Sequence, residues 1–391
     1  MPSSRIYLDD LNGRPLSPLV RAALAEALAA WGNPSSLHAD GRAAARLREK
    51  ARGQVAGLIG ARAEEIFFTS SGTEANTWAL SGLAKSAPGT QPAIGTWYRN
   101  HILVSAVEHL SVLQTARRLE KEGWELTVLP VDPAGCVDPG QVEAALTPRT
   151  VLVSVQWANP EAGTLQPVAE TARRVKAKGI LFHTDAVAAA GRVPVDLARV
   201  PADALSLASG PLGGPAGAGA LFLRKGTRVN PLFIGGTQEE GRRAGTENLL
   251  GIAGMGAAAE SAARDLPALA GKVTPLRERL LRGILSLLSE ASLNGDPTDR
   301  LPGHISVSFP GADAEALVLA LDREGVSAGL GSACSSKAVK ASHVLKAMGV
   351  EDSRALGTLT LSLGAGTTEE EIERFLAVLP KALGLIGKER A

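Results

Sequence analysis

The stretch that decides the fold is residues 65–76, EIFFTSSGTEAN, where an apolar run ends at a polar turn that contains glycine. We predict a strand over Glu65–Thr69 and a helix that begins near Thr73. The same order of strand and helix returns along the chain, with further strands predicted at His101–Val107 and Thr150–Gln156. Strands that alternate with helices are typical of a sheet with crossover helices. The sequence therefore predicts an α/β fold.

The second half of the chain contains a glycine-rich loop and then long helices. The uncharged run Ala204–Leu223 has the length of a membrane span but contains two prolines and five glycines, so we predict a strand, a loop and a second strand. Beyond it we predict two amphipathic helices, near 248–265 and 276–291. The remainder suggests a smaller α+β domain. We place a large α/β domain at 17–262, and a small domain at 1–16 plus 263–391.

Composition excludes several classes of protein. The 391 residues include 41 basic and 40 acidic side chains, a net charge of +1, and only 4% aromatic residues, so we expect no nucleic-acid partner. A hydrophobic share of 45% and a charged share of 21% argue against disorder and against a membrane bundle. The N-terminus does not resemble a signal peptide, and two cysteines make no disulfide framework. We expect a cytoplasmic protein.

A polar turn that includes Ser71, Gly72 and Thr73 lies between the first predicted strand and its helix. Backbone N–H groups and hydroxyls at a helix N-terminus can bind an anion such as phosphate. An ordinary helix start explains the same residues, with Thr73 as the N-cap and Glu74 close by. The turn alone does not decide between these two interpretations.

Two further candidates lie at strand ends, where open α/β sheets bind ligands. Asp185 follows the apolar segment GILFHT at 179–184 and could pair with a buried cation, although a structural role in the next turn explains it equally well. His109 follows the strand predicted at His101–Val107, so its ring could stack on a flat ligand. A lone histidine more often serves in packing.

The two cysteines have different surroundings. Cys334 lies among small residues in GSACSSKAVK, and the nearby Lys337 and Lys340 favour a thiolate that reacts or binds a metal. Cys136 lies in the turn PAGCVDPG and is interpreted as an incidental surface residue.

Motifs along almost the whole chain resemble the NifS/IscS-type cysteine desulfurases, which are class V aminotransferases among the fold-type I proteins that use pyridoxal phosphate (PLP). The matching segments, in chain order, are IYLD, GNPSSLHADGR, FTSSGTEAN, EHLSV, HTDA, GRRAGTEN, GSACSS and TTEEEIE. The resemblance implies a dimer with a mixed, mostly parallel sheet in its large domain and with the Cys334 loop in its small α+β domain.

The resemblance also implies roles for single residues. It makes Ser71, Gly72, Thr73 and Ser209 part of the phosphate site of PLP, with Thr246 donated across a dimer interface. It makes His109 the ring that stacks on the cofactor and Asp185 the carboxylate that keeps the pyridine nitrogen protonated. It makes Cys334 the nucleophile that takes sulfur from substrate cysteine and holds it as a persulfide. The loop around Cys334 has the length of the IscS-like branch, which implies a scaffold or sulfur-acceptor protein as a partner.

The chain departs from the family where PLP would be attached. The family segment S-G-H-K-x-x-G-P-x-G-x-G supplies a lysine that forms a Schiff base with PLP. Here residues 209–219 read SGPLGGPAGAG, one residue shorter, with Pro211 and Leu212 replacing the His-Lys pair. Residues 179–224 contain no lysine at all. Transaldimination and the usual acid/base step therefore have no residue to perform them.

Other departures concern the cofactor oxygen and the substrate. Pro160 and Ala188 stand where the family has an asparagine and a glutamine that contact the cofactor hydroxyl. Thr360 stands where the family has the arginine that grips the substrate carboxylate. A lost charge-assisted hydrogen bond typically costs about 1.5–3 kcal/mol.

These departures leave four hypotheses. We favour an altered desulfurase-like protein of sulfur transfer or iron–sulfur metabolism, in which Cys334 accepts a persulfide or ligates an iron–sulfur cluster. The second hypothesis is an authentic PLP-dependent cysteine desulfurase. The third is a non-catalytic dimer partner or regulatory protein. The last is a PLP enzyme that works without a Schiff base.

Overall fold

The computed structural model describes residues 5–90, 98–331 and 341–389. Its strands are short, and most are rich in β-branched and leucine residues that are buried on both faces. In chain order the strands are β1 Ile6–Leu8, β2 Ile66–Thr69, β3 His101–Ser105, β4 Glu125–Leu129, β5 Thr150–Ser154, β6 Leu181–Asp185, β7 Ala204–Ala208, β8 Gly219–Leu223, β9 Ser292–Leu293, β10 His304–Ser308, β11 Val326–Leu330 and β12 Thr358–Ser362.

The strands form two sheets. The larger has the order β2-β8-β7-β6-β5-β3-β4, and the strands from β7 through β6, β5 and β3 to β4 are parallel neighbours. Only β8 runs against its neighbours β2 and β7. The smaller sheet has the order β1-β11-β12-β10-β9 and is mostly antiparallel. The predicted α/β fold with a mixed, mostly parallel sheet is confirmed.

Helices pack against both faces of the larger sheet and against one another. In chain order they are α1 Pro18–Ala29, α2 Ala39–Leu58, α3 Gly72–Ser86, α4 Leu110–Lys121, α5 Pro139–Ala144, α6 Val168–Ala177, α7 Ser209–Leu212, α8 Leu249–Leu287, α9 Ala314–Arg323, α10 His343–Ala347, α11 Asp352–Ala355 and α12 Glu369–Glu389. Helix α3 follows β2 directly, as the opening segment predicts.

The prediction of two separate helices after residue 248 is wrong, because α8 is one helix of 39 residues. Pro267 and Pro275 lie inside it and face solvent. A proline removes one backbone hydrogen bond and usually bends a helix, which is why the sequence suggests a break. The helix continues because apolar residues on both sides of the prolines are buried, from Gly251 to Ala259 and from Val273 to Ile284.

Each sheet has its own hydrophobic core. Phe182 and Val153 represent the cluster on one face of the larger sheet, and Trp78 represents the cluster beneath α3 on the other face. Ile305 and Phe375 represent the cluster of the smaller sheet. Helix α8 runs through residue 262, so the domain boundary placed there stays a prediction. Within the described ranges, we find no helix long and apolar enough to cross a membrane.

Candidate active site

A cavity of about 500 Å³ opens where parallel strands of the larger sheet end and the smaller sheet approaches them. Parallel strands present their carboxyl ends at one edge, which is where ligands bind in such sheets. Most wall residues come from strand ends, helix starts and connecting turns of both sheets. They are Asp9, Leu11, Asn12, Ser71, Gly72, Thr73, Asn76, His109, Leu110, Gln156, Ala158, Pro160, Glu161, Asp185, Val187, Ala188, Ala208, Pro211, His304, Leu330, Gly331, Ala341, Ser342, His343, Thr360 and Ser362.

Asp185 and His109, both predicted from strand ends, lie in this wall and are linked by hydrogen bonds. The Asp185 carboxylate accepts from Asn76 Nδ2 at 2.6 Å and from the Val187 N–H at 2.9 Å. Asn76 Nδ2 also donates to Ser111 Oγ at 2.9 Å, and Ser111 Oγ lies 2.7 Å from His109 Nδ1. The network fixes the imidazole relative to the carboxylate, and burial raises the pKa of Asp185.

The turn before α3 brings Ser71, Gly72 and Thr73 to the same cavity. The N-cap is Ser71, whose Oγ accepts from the Glu74 N–H at 3.2 Å, and not Thr73 as the sequence suggests. Glu74 is held in turn by Arg243 at 2.9 Å. The helix start is therefore capped in the ordinary way and also faces the cavity, so the two interpretations of this turn are compatible.

The glycine-rich segment contributes two residues to the cavity wall. Ala208 and Pro211, three residues apart around the short helix α7, both line the cavity. Ser209, predicted as a phosphate ligand, does not line it; its hydroxyl is buried beside Gly214 and has no hydrogen-bond partner in the described residues. Leu212 is 3% exposed and belongs to the hydrophobic core. Pro211 is thus the residue of this segment that faces the place where a cofactor-attaching lysine would be needed.

Thr246 lies apart from this cavity. It is exposed, beside a shallow depression lined by Phe233 and Ile234. Its predicted role in a partner's phosphate site, and the dimer that this role requires, stay predictions.

The three differing family positions that concern the cofactor hydroxyl and the substrate carboxylate all face the cavity. Pro160, Ala188 and Thr360 line it, so the expected amide and guanidinium groups are replaced by apolar atoms and one hydroxyl. Thr360 pairs with Gly329 across β11 and β12, and Asp9 lies close to both.

Sequence reasoning missed two carboxylates in the wall. Glu161 follows Pro160, and burial raises its pKa to about 7, opposed only by a hydrogen bond from the Ser342 hydroxyl. Asp9 accepts from Asn12 Nδ2 at 2.8 Å, and burial raises its pKa too. The IYLD motif, which ends at Asp9, was the one signal that could have drawn attention to it.

The two cysteines differ in relation to the cavity. Cys334 lies outside the described residues, but Gly331 and Ala341, on either side of that segment, both line the cavity. Cys136 is half-buried, and burial together with Asp132 raises the pKa of its thiol to about 11. Its reactive thiolate form is disfavoured, in agreement with an incidental role. The described ranges contain no group of three His, Cys, Asp or Glu residues that could hold a metal.

We tested whether these residues fit PLP, which the resemblance implies. The buried Asp185 and the fixed His109 fit the pyridine nitrogen and ring, and the start of α3 offers N–H and hydroxyl groups to the phosphate. The aldehyde end does not fit, because no lysine lies among the described wall residues. The cavity thus fits two parts of PLP and lacks the group that would attach it.

Comparison with known proteins agrees with the fold. A model of the class V aminotransferase family matches residues 6–375. The cysteine desulfurase IscS of Dictyoglomus turgidum is 42% identical over 379 residues, which cover 97% of this chain and 94% of that protein. A cysteine desulfurase of Cereibacter sphaeroides is 46% identical, with 96% of this chain and 95% of that protein covered.

A solved structure described as a NifS-like protein has the same fold. It superposes with a TM-score of 0.88 at 34% identity, covering 97% of this chain and 100% of the other. The expected fold-type I architecture is therefore confirmed. On sequence and on structure, this chain belongs to the class V aminotransferase family, as a homologue of the IscS/NifS cysteine desulfurases.

Proposed function

We propose that the protein acts in sulfur transfer and binds PLP in the cavity described above. The similarity to proteins named cysteine desulfurase supports the sulfur chemistry, and the network around Asp185 supports the cofactor. PLP supplies an electron sink when it is bound. Asp185 would hold the proton on the ring nitrogen, while Asn76 and Ser111 keep His109 in place against the ring.

Two forms of this function differ in how PLP is held. In the first, PLP binds without covalent attachment, and Cys334 either takes the outer sulfur atom of a donor persulfide, which leaves as a thiol, or ligates an iron–sulfur cluster. The single observation behind this form is that Pro211 faces the cavity where a lysine would be needed. The replacement of the substrate-binding arginine by Thr360 points the same way.

In the second form, the protein is an authentic cysteine desulfurase that converts L-cysteine to L-alanine and an enzyme persulfide on Cys334. The comparisons favour this form over the first, because relatives with that name match nearly the whole chain at 40–46% identity. It requires that an amine outside the described wall residues attach the cofactor. A non-catalytic dimer partner is a third candidate, and a homodimer with a scaffold or acceptor protein fits all three.

One set of measurements on protein purified under anaerobic conditions separates these forms. We would record the visible absorption spectrum, treat the sample with borohydride, measure the intact mass, and assay sulfide release from L-cysteine. A PLP adduct that survives denaturation, together with sulfide release, establishes the authentic desulfurase. PLP that is lost on denaturation establishes the non-covalent form.

The role of Cys334 needs a separate variant. Persulfide or cluster content that disappears in Cys334→Ala, while the melting temperature is unchanged, would support sulfur transfer. Protein that binds no PLP and whose sulfur content does not depend on Cys334 would contradict the proposal in both forms and leave the non-catalytic partner.

A further inference from the structure

Glu74 places a carboxylate directly behind the turn that would hold the phosphate of PLP. It is the third residue of α3 and is 8% exposed. Glu74 does not line the cavity, whereas Ser71, Gly72 and Thr73 do. Its Oε2 accepts from the Ser70 N–H at 2.8 Å and from the Ser70 hydroxyl at 2.5 Å. The carboxylate therefore holds the turn from outside the cavity wall.

A carboxylate in this place is unfavourable for an anionic ligand. A phosphate ester carries about two negative charges near pH 7, and a phosphate bound at the start of α3 would be repelled by Glu74. Charges that are partly buried are screened less than charges in open solvent. The start of α3 can therefore hold a phosphate well only if the charge of Glu74 is offset.

Arg243 supplies the offsetting charge. Its Nε donates to Glu74 Oε1 at 2.9 Å and its Nη2 donates to Oε2 at 3.2 Å, which is a bidentate pair. Burial acts to raise the pKa of Glu74, but the hydrogen bonds from Arg243 and Ser70 outweigh it, so this pKa is lowered. The guanidinium is also held by the Ala244 carbonyl, at 3.3 Å, and by the Phe233 ring, whose centre lies 5.2 Å from Cζ.

The backbone that leads to Arg243 has an uncommon conformation. Glu239 and Glu240 have φ values of 48° and 58°, which is the left-handed region. Residues other than glycine keep such a conformation where their surroundings enforce it. Here the buried Glu239 carboxylate accepts from Arg52 Nη2 at 2.7 Å and from the Phe68 N–H of β2 at 2.8 Å. The turn before Arg243 is thus fixed to the strand that leads into α3.

We propose that Arg243 determines the preference of this cavity for a phosphorylated cofactor. Arg243 lies outside the described wall, and it acts through Glu74 by neutralising and fixing that carboxylate. It is therefore a positioning residue, and binding of the cofactor ring does not depend on it. The inference rests on the proposed function for the presence of PLP and deepens it on the phosphate side.

The test uses two ligands that differ only in the phosphate, pyridoxine 5′-phosphate and pyridoxine. Neither carries an aldehyde, so neither condenses with surface amines. Both are titrated calorimetrically into the full-length protein, dialysed against a buffer without phosphate. We expect the wild type to bind the phosphorylated ligand at least about tenfold more tightly. In Arg243→Gln, this ligand should bind about tenfold or more weakly than to the wild type, while pyridoxine stays within about twofold, because only the phosphate is repelled by Glu74.

The matched control is Arg242→Gln, which removes the same charge from the neighbouring residue. Arg242 stacks on Phe67, with Cζ 4.6 Å from the ring centre, and takes no part in the pair with Glu74. Arg242→Gln should change the affinity for pyridoxine 5′-phosphate by less than about threefold. Equal losses in the two arginine variants would show an effect of net charge and contradict the assignment to Arg243.

Variants of Glu74 separate its charge from the shape of the turn. The double variant Arg243→Gln/Glu74→Gln should recover most of the lost affinity, because an amide does not repel the phosphate and its oxygen can still accept from Ser70. An equal or larger loss in the double variant would overturn the proposal. If Arg243→Gln does not fold, as judged by its melting temperature, Glu74→Gln decides the question. It should bind pyridoxine 5′-phosphate more tightly than the wild type, and binding that is not tighter would contradict the proposal.

These outcomes can be told apart from failure of the proposed function. A phosphate preference that persists in folded Arg243→Gln contradicts the role of Arg243 and leaves the proposed function intact. A preference that depends on Arg243, in protein that releases no sulfide from L-cysteine and carries no sulfur on Cys334, supports this role and contradicts sulfur transfer. A wild type without any preference for the phosphorylated ligand contradicts both.

Discussion

Pro211 and Leu212 are neighbours in sequence, but only the first can be replaced by an amine-bearing side chain at low cost. Leu212 is 3% exposed and packs in the core, so Leu212→Lys should lower the free energy of unfolding by about 3 kcal/mol or more. Pro211 lines the cavity. Its backbone carbonyl accepts a hydrogen bond from Arg192 at 2.8 Å, and a side-chain substitution keeps this carbonyl. We expect Pro211→Lys to change stability by less than about 1 kcal/mol.

The two lysine variants also differ in what they do to PLP. After incubation with PLP and reduction by borohydride, the intact mass should show an adduct in Pro211→Lys but not in Leu212→Lys. Release of sulfide from cysteine should stay low even in Pro211→Lys, because Thr360 and Ala188 remain. An adduct in the Leu212→Lys protein, or none in Pro211→Lys, would show that the loop has a different register from the one described.

Glu161 gives the stability of the protein a specific dependence on pH. Burial raises its folded-state pKa to about 7, above the ordinary value of 4.5, so the folded protein holds this proton more tightly than the unfolded chain. The stability that the protonated Glu161 contributes is fully present below the pKa of the unfolded chain and is lost as pH rises through about 7. Relative to Glu161→Gln, the wild type should lose up to about 3 kcal/mol between pH 4.5 and 8. Urea unfolding of both proteins across this range measures the difference, and parallel curves would contradict it.

At the scale of single elements, the start of α3 depends on the absence of a side chain at Gly72. A Cβ there would lie 2.9 Å from Val187 Cγ2 and 3.2 Å from Ala208 Cβ, both at the cavity. Gly72→Ala should therefore cost about 1–3 kcal/mol and weaken PLP binding, because the helix start must move. Gly53→Ala in α2 is the matched control. Gly53 is exposed, and an added Cβ would meet no atom within 4 Å, so we expect Gly53→Ala to stabilise the protein by about 0.5–1 kcal/mol.

The two prolines inside α8 can be tested in the same way. Pro267 is exposed within the helix, so Pro267→Ala should raise the free energy of unfolding by about 1–2 kcal/mol. Alanine has the higher helix propensity, and part of that gain is offset because the unfolded chain becomes more flexible without the proline. Pro18 occupies the first turn of α1, where proline is favourable, and Pro18→Ala should give no gain. Equal effects of the two substitutions in urea unfolding would argue against a continuous α8.

Elements with a strong local pattern could be predicted from the sequence. Strand β2 and the start of helix α3 lie within one residue of their predicted positions, because a short apolar run and a capping turn are local properties. The continuity of α8 could not be predicted, because it depends on tertiary packing of the residues on both sides of its prolines. The side chains of the glycine-rich loop that line the cavity could not be predicted for a similar reason. A one-residue choice in aligning the loop decides which of its side chains line the cavity, and here they are Ala208 and Pro211.

At the scale of the whole molecule, the cavity unites segments that are far apart in sequence. Asp185 and His109 were predictable because Asp185 ends β6 and His109 follows β3 of the same sheet, and parallel strands end at a common edge. Asp9 and Glu161 were not predictable in this way. Asp9 bridges to β12 of the smaller sheet and Glu161 lies in the turn after β5, and these segments meet only in the folded chain. Their place in one cavity wall is a property of the folded chain, which no local pattern encodes.

One buried ion pair connects the two sheets beneath this cavity. Arg192 donates to the Asp10 carbonyl at 2.8 Å and to its carboxylate at 3.1 Å, while the Asp10 N–H bonds the Ser362 carbonyl of β12 at 3.2 Å. Arg192→Met would remove one of two cations near the Asp10 carboxylate and leave Arg14 at 3.6 Å, so we expect a loss of about 1.5–3 kcal/mol. The double variant Arg192→Met/Asp10→Asn should recover part of this loss, because it also removes the carboxylate that lost its hydrogen bond from Arg192. Urea unfolding of the wild type, both single variants and the double variant measures the coupling, and additive losses would show that the two side chains stabilise the protein independently.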